Sequence, residues 1–188
     1  DYQLQQAMNY LKGQPEALDP QLAAAPASME EAVVQLEKRL ADQPYQEAAT
    51  RGWIAPVSPI DPSQPGTIAV VGLSPKSHRA SYEVSAYMQQ QGWHIIPVNP
   101  LAKVPEILGE KVYATLSEAA QHEQIDLVDV FRNSEDVPPI ADEAVAIGAK
   151  AIWLQLGITN DAACDKAHAA GLQVVQNKCL LVEHRRYT

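Results

Sequence analysis

Between Gly72 and Ser81 the chain runs Gly-Leu-Ser-Pro-Lys-Ser-His-Arg-Ala-Ser, directly after the apolar run Thr67–Val71. A glycine, several hydroxyls and two cations, Lys76 and Arg79, at a strand-to-helix turn are residue types that hold phosphate. Backbone N–H groups at a helix start add donors and partial positive charge. Four further stretches carry polar groups where an apolar run ends: Val98-Asn99-Pro100, Phe131-Arg132-Asn133, Gln155 with Gly157, and Asn177-Lys178-Cys179. Lys76, Arg79 and Arg132 form a local cationic exception in an acidic chain, and a multiply charged phosphate ligand is their natural complement. Taken singly, Lys76 and Arg79 are equally well explained as solvated cations, and Ser81 as a helix cap. Repetition of the pattern at successive strand ends favours a site.

The nicotinamide dinucleotide fingerprint wants G-x-G-x-x-G, so that backbone approaches a pyrophosphate closely, and an acid after the second strand for the ribose hydroxyls. This chain has G-x-S-x-x-S at Gly72, Ser74 and Ser77, and Asn99 stands where the acid would be. Both departures point away from NAD(P) and towards another nucleotide.

No catalytic constellation is visible, and no catalytic residue is assigned. His94, His122 and His168 are lone histidines, His78 sits in the phosphate loop, and His184 falls in the C-terminal tail, where it is expected at a surface or interface. Cys164 and His168 lie one helical turn apart, but two ligands make a poor metal site, so no metal is expected. Ser-His-Asp order and a nucleophile elbow are both missing. Cys164 lies among alanines and reads as core.

These side chains need a scaffold. The spacing predicts strands over 67–73, 94–98, 125–131, 151–154 and 173–175. It predicts helices over 81–91, 117–122, 135–147 and 161–170, several ended by glycine (Gly92, Gly148, Gly171). Alternating strands and helices with short connections imply an α/β, doubly wound parallel sheet of about five strands, Rossmann-like, with ligands beyond the C-terminal strand ends. Residues 1–64 differ. Two short amphipathic helices are expected, over 1–12 and from a capping box at Ser28-Met-Glu-Glu31, followed by a proline-rich linker. The division is therefore 1–64, a helical extension and linker, and 65–188, the main domain. The extension cannot bury a core alone. It packs on its own domain, on another copy or on a protein partner.

A net charge of −9 argues against a nucleic-acid partner. No apolar run is long enough to span a membrane. Two cysteines outside any CxxC or zinc spacing suggest no disulfide framework, and a reducing cytoplasm is the default. The chain starts at Asp1, which is consistent with trimming or processing.

The motifs "IAVVGLSPKSHRASYEV", "IIPVNP", "ILGEKVYATL", "DLVDVFR", "AIGAKAIWLQLGI" and "AAGLQVVQNKCLLVEHRR" together resemble the small CoA-binding proteins. That family is similar to the N-terminal CoA-binding domain of the succinyl-CoA synthetase α subunit, standing alone. The resemblance runs from about Thr67 to Arg186. It implies that Gly72, Leu73, Ser74, Lys76, Arg79 and Ser81 hold the nucleotide phosphates of coenzyme A. Val98, Asn99, Pro100, Phe131 and Arg132 would line the next part, Gln155 and Gly157 the pantetheine, and Asn177 and Cys179 the last strand end. Lys178 stands where arginine is common, which keeps the charge and loses the bidentate fork. The synthetase's second domain, with its phosphorylated histidine, and any ATP-grasp region resemble nothing here. The expected function is therefore a non-catalytic CoA or acyl-CoA carrier, sensor or regulatory subunit. The alternatives are an acyl-CoA-handling enzyme or split-ligase subunit using Cys179, and an NAD(P)-binding protein. Cys179 reads either as a small buried hydrophobe or as a thiol facing the CoA sulfur, with Lys178 available to activate it.

Overall fold

The computed structural model describes residue 61 and residues 63–187. The two expected N-terminal helices and nearly all of the expected proline-rich linker lie outside the described residues, as does the expected domain boundary's N-terminal side.

Strand β1 (Thr67–Val71) leads through a loop to α1 (Ala80–Gln90) and β2 (His94–Val98). A two-stranded hairpin follows, β3 (Glu106–Ile107) and β4 (Glu110–Lys111), then the short helix α2 (Leu116–Ala119). Next come β5 (Leu127–Val130), a 3-10 turn (Ser134–Asp136), α3 (Val137–Ala146) and β6 (Ala151–Leu154). The chain continues with α4 (Asp161–Ala169), β7 (Gln173–Val175) and α5 (Leu180–Tyr187). The main sheet is β2-β1-β5-β6-β7, parallel throughout. The expected α/β Rossmann-like sheet of five strands is thus present. Strand order reverses between β1 and β5, where a crevice opens at the C-terminal strand ends.

Each strand of the main sheet is buried on both faces, as parallel sheets covered by crossover helices are, and alternation still sorts the residues. Ala69, Val71, Ile96, Val98, Val128, Val130, Ile152 and Leu154 pack with residues of α2, α3 and α4. Ile68, Val70, Ile95, Leu127, Ala151 and Trp153 pack on the other face with Val84 and Met88 of α1 and Leu180 of α5.

Two elements escaped the sequence reading. The hairpin is made by Leu108 and Gly109, both at positive φ (56° and 79°), a tight two-residue turn whose leucine gives no turn signal. Helix α5 is the second, and it corrects the placement of His184. Far from a surface, His184 is buried, as are Leu180 one turn before it and its neighbour Glu183. A helix whose inward stripe is Leu, Glu and His carries little hydrophobic periodicity.

His184 joins α5 to α1 and to the start of β2. The Trp93 indole N–H donates to its Nε2 at 3.4 Å, and Tyr87 Oη lies 3.2 Å from its Nδ1. Trp can only donate, so Nε2 is the unprotonated nitrogen. Burial holds the imidazole below its ordinary value of 6.5. The unfolded chain therefore takes up the proton first as pH falls through 6.5, and this contribution to stability is present above 6.5 and lost below it. The gap in thermal midpoint between the wild type and His184→Gln should narrow as pH drops below 6.5. A gap that stays constant from pH 8 to 5 would show that His184 keeps its ordinary affinity for protons.

Candidate functional site

The first loop is built around Gly72. Its φ is +90°, and a Cβ there would lie 2.8 Å from the Phe131 carbonyl oxygen and 3.1 Å from Arg132 Cδ. The β1 loop and the β5 loop thus touch across the switch point, and only glycine permits it. Gly72 N–H donates to Val98 O at 2.8 Å, which ties in the end of β2.

The loop's hydroxyls shape the loop itself. Ser81 Oγ accepts from Ser74 N–H (3.1 Å), and Ser74 Oγ accepts from Lys76 N–H (3.2 Å). Asn99 donates from Nδ2 to Leu73 O (2.9 Å) and accepts from Leu101 N–H (3.0 Å), clamping the β1 and β2 loops together. The side chains of Leu73 and Val98 are buried in the core. Lys76 and Arg79 are exposed at the start of α1, and neither has a salt-bridge partner among the described residues. Arg79 is the N-cap of α1, with no side-chain cap bond. A guanidinium and an ammonium group thus stand beside a helix N-terminus.

Beside this loop lies an open cleft of about 880 Å³. Its wall comprises Ala80 and Val84 of α1, Phe131 to Glu135 after β5, Gln155 to Ile158 after β6, and Cys179 before α5. Of the residues expected at the site, Phe131, Arg132, Gln155, Gly157 and Cys179 meet on this wall. Gly72, Leu73, Ser74, Lys76 and Arg79 belong instead to the adjoining loop after β1, Ser81 to the first turn of α1, Val98 to the end of β2, and Asn99 and Pro100 to the loop after it. Asn177 is one step behind: at φ +57° it turns its Oδ1 to accept from Gly157 N–H at 2.8 Å. Arg132 pairs with Asp136 at 3.2 Å, with both side chains about 38% and 37% exposed.

Lys178 departs from the expected role. It is 4% exposed and its Nζ lies 3.3 Å from Glu183 Oε1, so its charge is turned into the α5 side of the fold.

The residue that sequence reasoning missed is Asp129. It sits in β5 between Val70 of β1 and Trp153 of β6. The side chain is 1% exposed. Gln155 Nε2 donates to both carboxylate oxygens, at 2.9 and 3.1 Å. Burial pushes its pKa up to about 7 against those hydrogen bonds. The available signal was an acid inside the apolar run Leu127–Val130, where charge is rare unless it has work to do.

Residues 66–185 match the family described as CoA binding domain. The chain belongs to this CoA-binding domain family. Among relatives, the Bacillus subtilis (strain 168) protein YneT is 41% identical over 117 residues, 62% of this chain and 84% of YneT. A solved structure from Thermus thermophilus aligns with a TM-score of 0.62 at 36% identity, covering 68% of this chain and 93% of that one. A Pyrococcus horikoshii OT3 protein aligns at 0.62 and 35%, covering 67% and 86%. The fold also recurs within a much longer Ca. Korarchaeum cryptofilum acetyl-coenzyme A synthetase, at TM-score 0.52 and 23% identity, over 61% of this chain and 26% of that one. Within this family match the first loop departs from the dinucleotide fingerprint at Ser74, Ser77 and Asn99. Among the described residues no helix is long and apolar enough to cross a membrane.

Proposed function

We propose that this protein binds coenzyme A or an acyl-CoA in a reducing, cytoplasmic setting and acts as a non-catalytic carrier, sensor or regulatory subunit. The observation that carries the reading is the pairing, at one switch point, of two kinds of surface. One is the Gly72 loop with two cations, Lys76 and Arg79, that pair with no acid among the described residues. The other is the neighbouring cleft with its mixed lining. Coenzyme A has the matching halves, a phosphorylated nucleotide and a neutral pantetheine arm. A cleft of this size lies in the range of ligand sites, about 300–1,000 Å³. Arg79, Lys76 and the N–H groups of α1 would take phosphate, with Ser74, Ser81 and Asn99 holding the loop in shape. Phe131, Gln155, Gly157 and Cys179 would face the arm.

Native mass spectrometry of the purified protein should show the retained mass of coenzyme A or of a thioester. Calorimetry should then rank CoA well above NAD and ATP. Truncating a charged phosphate contact costs about 1.5–3 kcal/mol, so Arg79→Ala should weaken CoA by roughly 10- to 150-fold. Equal affinity for NAD, or an Arg79→Ala variant that binds CoA like the wild type, would overturn the reading. The position of Cys179 on the cleft wall favours a second role, a thiol that takes the acyl group of an acyl-CoA and releases CoA thiol, or that exchanges with CoA disulfide to give a mixed disulfide and one released CoA thiol. It predicts a mass increment that survives denaturation and is lost in Cys179→Ser.

A further inference from the structure

Asp129 is a carboxyl group in the middle of an apolar sheet face, and among the described residues no cation pairs with it. Every contact it has is a donor: Gln155 Nε2 to both oxygens, and the backbone N–H of Val130. That is the pattern of an acceptor-only carboxylate, since a protonated acid would need somewhere to donate. Gln155 is itself 4% exposed and lines the cleft. Its other end, Oε1, accepts from the backbone N–H of Leu180 at 3.3 Å, the first residue of α5. Its own N–H donates to Val130 O. The amide therefore has one orientation: Nε2 to the acid, Oε1 to the helix. The helix it holds begins directly after Cys179, on the cleft wall.

We propose that Asp129 is the positioning residue of this cleft: its carboxylate sets the amide of Gln155, and through it the first turn of α5, so that the neutral arm of a CoA-type ligand meets a pre-formed wall. This rests on the coenzyme A reading for the identity of the ligand, and on the structure alone for the unit Asp129–Gln155–Leu180. When Asp129 takes a proton, its O–H has an acceptor only if the Gln155 amide turns over. That turn sets Nε2 against the Leu180 N–H, donor against donor, and the start of α5 is released. Since the acid titrates near pH 7, the wall is set above that pH and loosened below it.

Other titratable groups on the elements covering this face include Tyr82, Glu83 and Tyr87 on α1, and Lys178, Cys179, Glu183, His184, Arg185 and Arg186 at and around α5. None of them bonds to Asp129 or contributes to its shift. Lys178 and Glu183 face each other, and His184 faces Tyr87 and Trp93. Burial lowers the pKa of His184 and raises that of Asp129, so the two shift in opposite directions.

The test follows the Gln155 side-chain amide and the Leu180 backbone amide of the full chain by proton–nitrogen NMR from pH 5 to 9. Both should move with one shared midpoint near 7, and Asp129→Asn should abolish the transition. Pantetheine is the binding probe, because a phosphate monoester titrates near pH 6 and would blur the profile. Its Kd should be about tenfold weaker at pH 5.5 than at pH 8.5. In Asp129→Asn it should stay weak at both. Should that variant fail to fold, Gln155→Met serves: the Leu180 amide should lose its midpoint near 7 while the fold persists. Amides that stay still in the wild type, or titrate alike in Asp129→Asn, overturn the proposal. A clean amide transition with no binding of pantetheine or CoA would leave the positioning unit standing and defeat the ligand assignment instead.

Discussion

Glu183→Ala should be among the most damaging single substitutions in the domain, lowering the free energy of unfolding by about 3–5 kcal/mol. Glu183 is 3% exposed and serves two cations, Lys178 Nζ at 3.3 Å and Arg186 at 3.3 Å. Arg186 reaches solvent and can be rehydrated in place. Lys178 is 4% exposed and cannot, so removing the carboxylate takes a buried ion partner from the ammonium. The damage would spread, because the backbone oxygen of Lys178 accepts the Trp153 indole N–H at 2.7 Å, tying this turn to the sheet. Urea denaturation followed by tryptophan fluorescence gives the number. A buried pair exchanged for apolar residues of similar volume is often neutral or better. The double variant Lys178→Met, Glu183→Leu should therefore recover more than half of the loss. A Glu183→Ala midpoint equal to the wild type would mean that the pair is solvated in solution.

Gly72→Ala should lose ligand binding and stability together. A residue with a side chain at φ +90° costs about 1–3 kcal/mol in the backbone alone. The steric term comes on top, since the new methyl would sit 2.8 Å from a backbone oxygen, that of Phe131. Phe131 is held by its own N–H to Val71 O, so the oxygen cannot retreat without opening the β1–β5 ladder. The β1 loop must move instead, carrying Lys76 and Arg79 with it. Calorimetry should show CoA affinity lower by tenfold or more, and a thermal melt a midpoint several degrees lower. Wild-type values in both would mean that the two loops are not in contact.

The scaffold was legible where pattern and physics agree. The runs at Thr67–Val71 and Ala151–Leu154 can only be buried strands, and Gly92, Gly148 and Gly171, all at positive φ, end their helices as glycine should. Strand ends then located a crevice without any side-chain detail. What stayed hidden depends on polar pairs made over long separations. Helix α5 is stabilised by a buried acid and histidine whose partners lie on α1, at Trp93 and at Lys178, so no local periodicity reveals it. Gln155 was read as a ligand contact because it leaves a strand. Its bond to Asp129, 26 residues away, exists only once β5 and β6 lie side by side. Ser81 and Asn99 show the converse: polar groups at strand ends whose acceptor atoms are used to fold the loops.

The hairpin excursion after β2 has a consequence for how this domain meets other molecules. It brings Tyr113 back alongside the outer strand, where Tyr113 N–H donates to Pro97 O and Asn99 N–H to Tyr113 O. Pro97, in mid-strand, has no N–H to offer. At the opposite margin β7 is three residues long. An incoming extended segment finds a capped ladder on one side and too short a template on the other, which is how natural sheets avoid edge-to-edge growth. Association is thereby directed to helix faces and loops, and crowding of the domain at high concentration should not seed fibrils through its sheet.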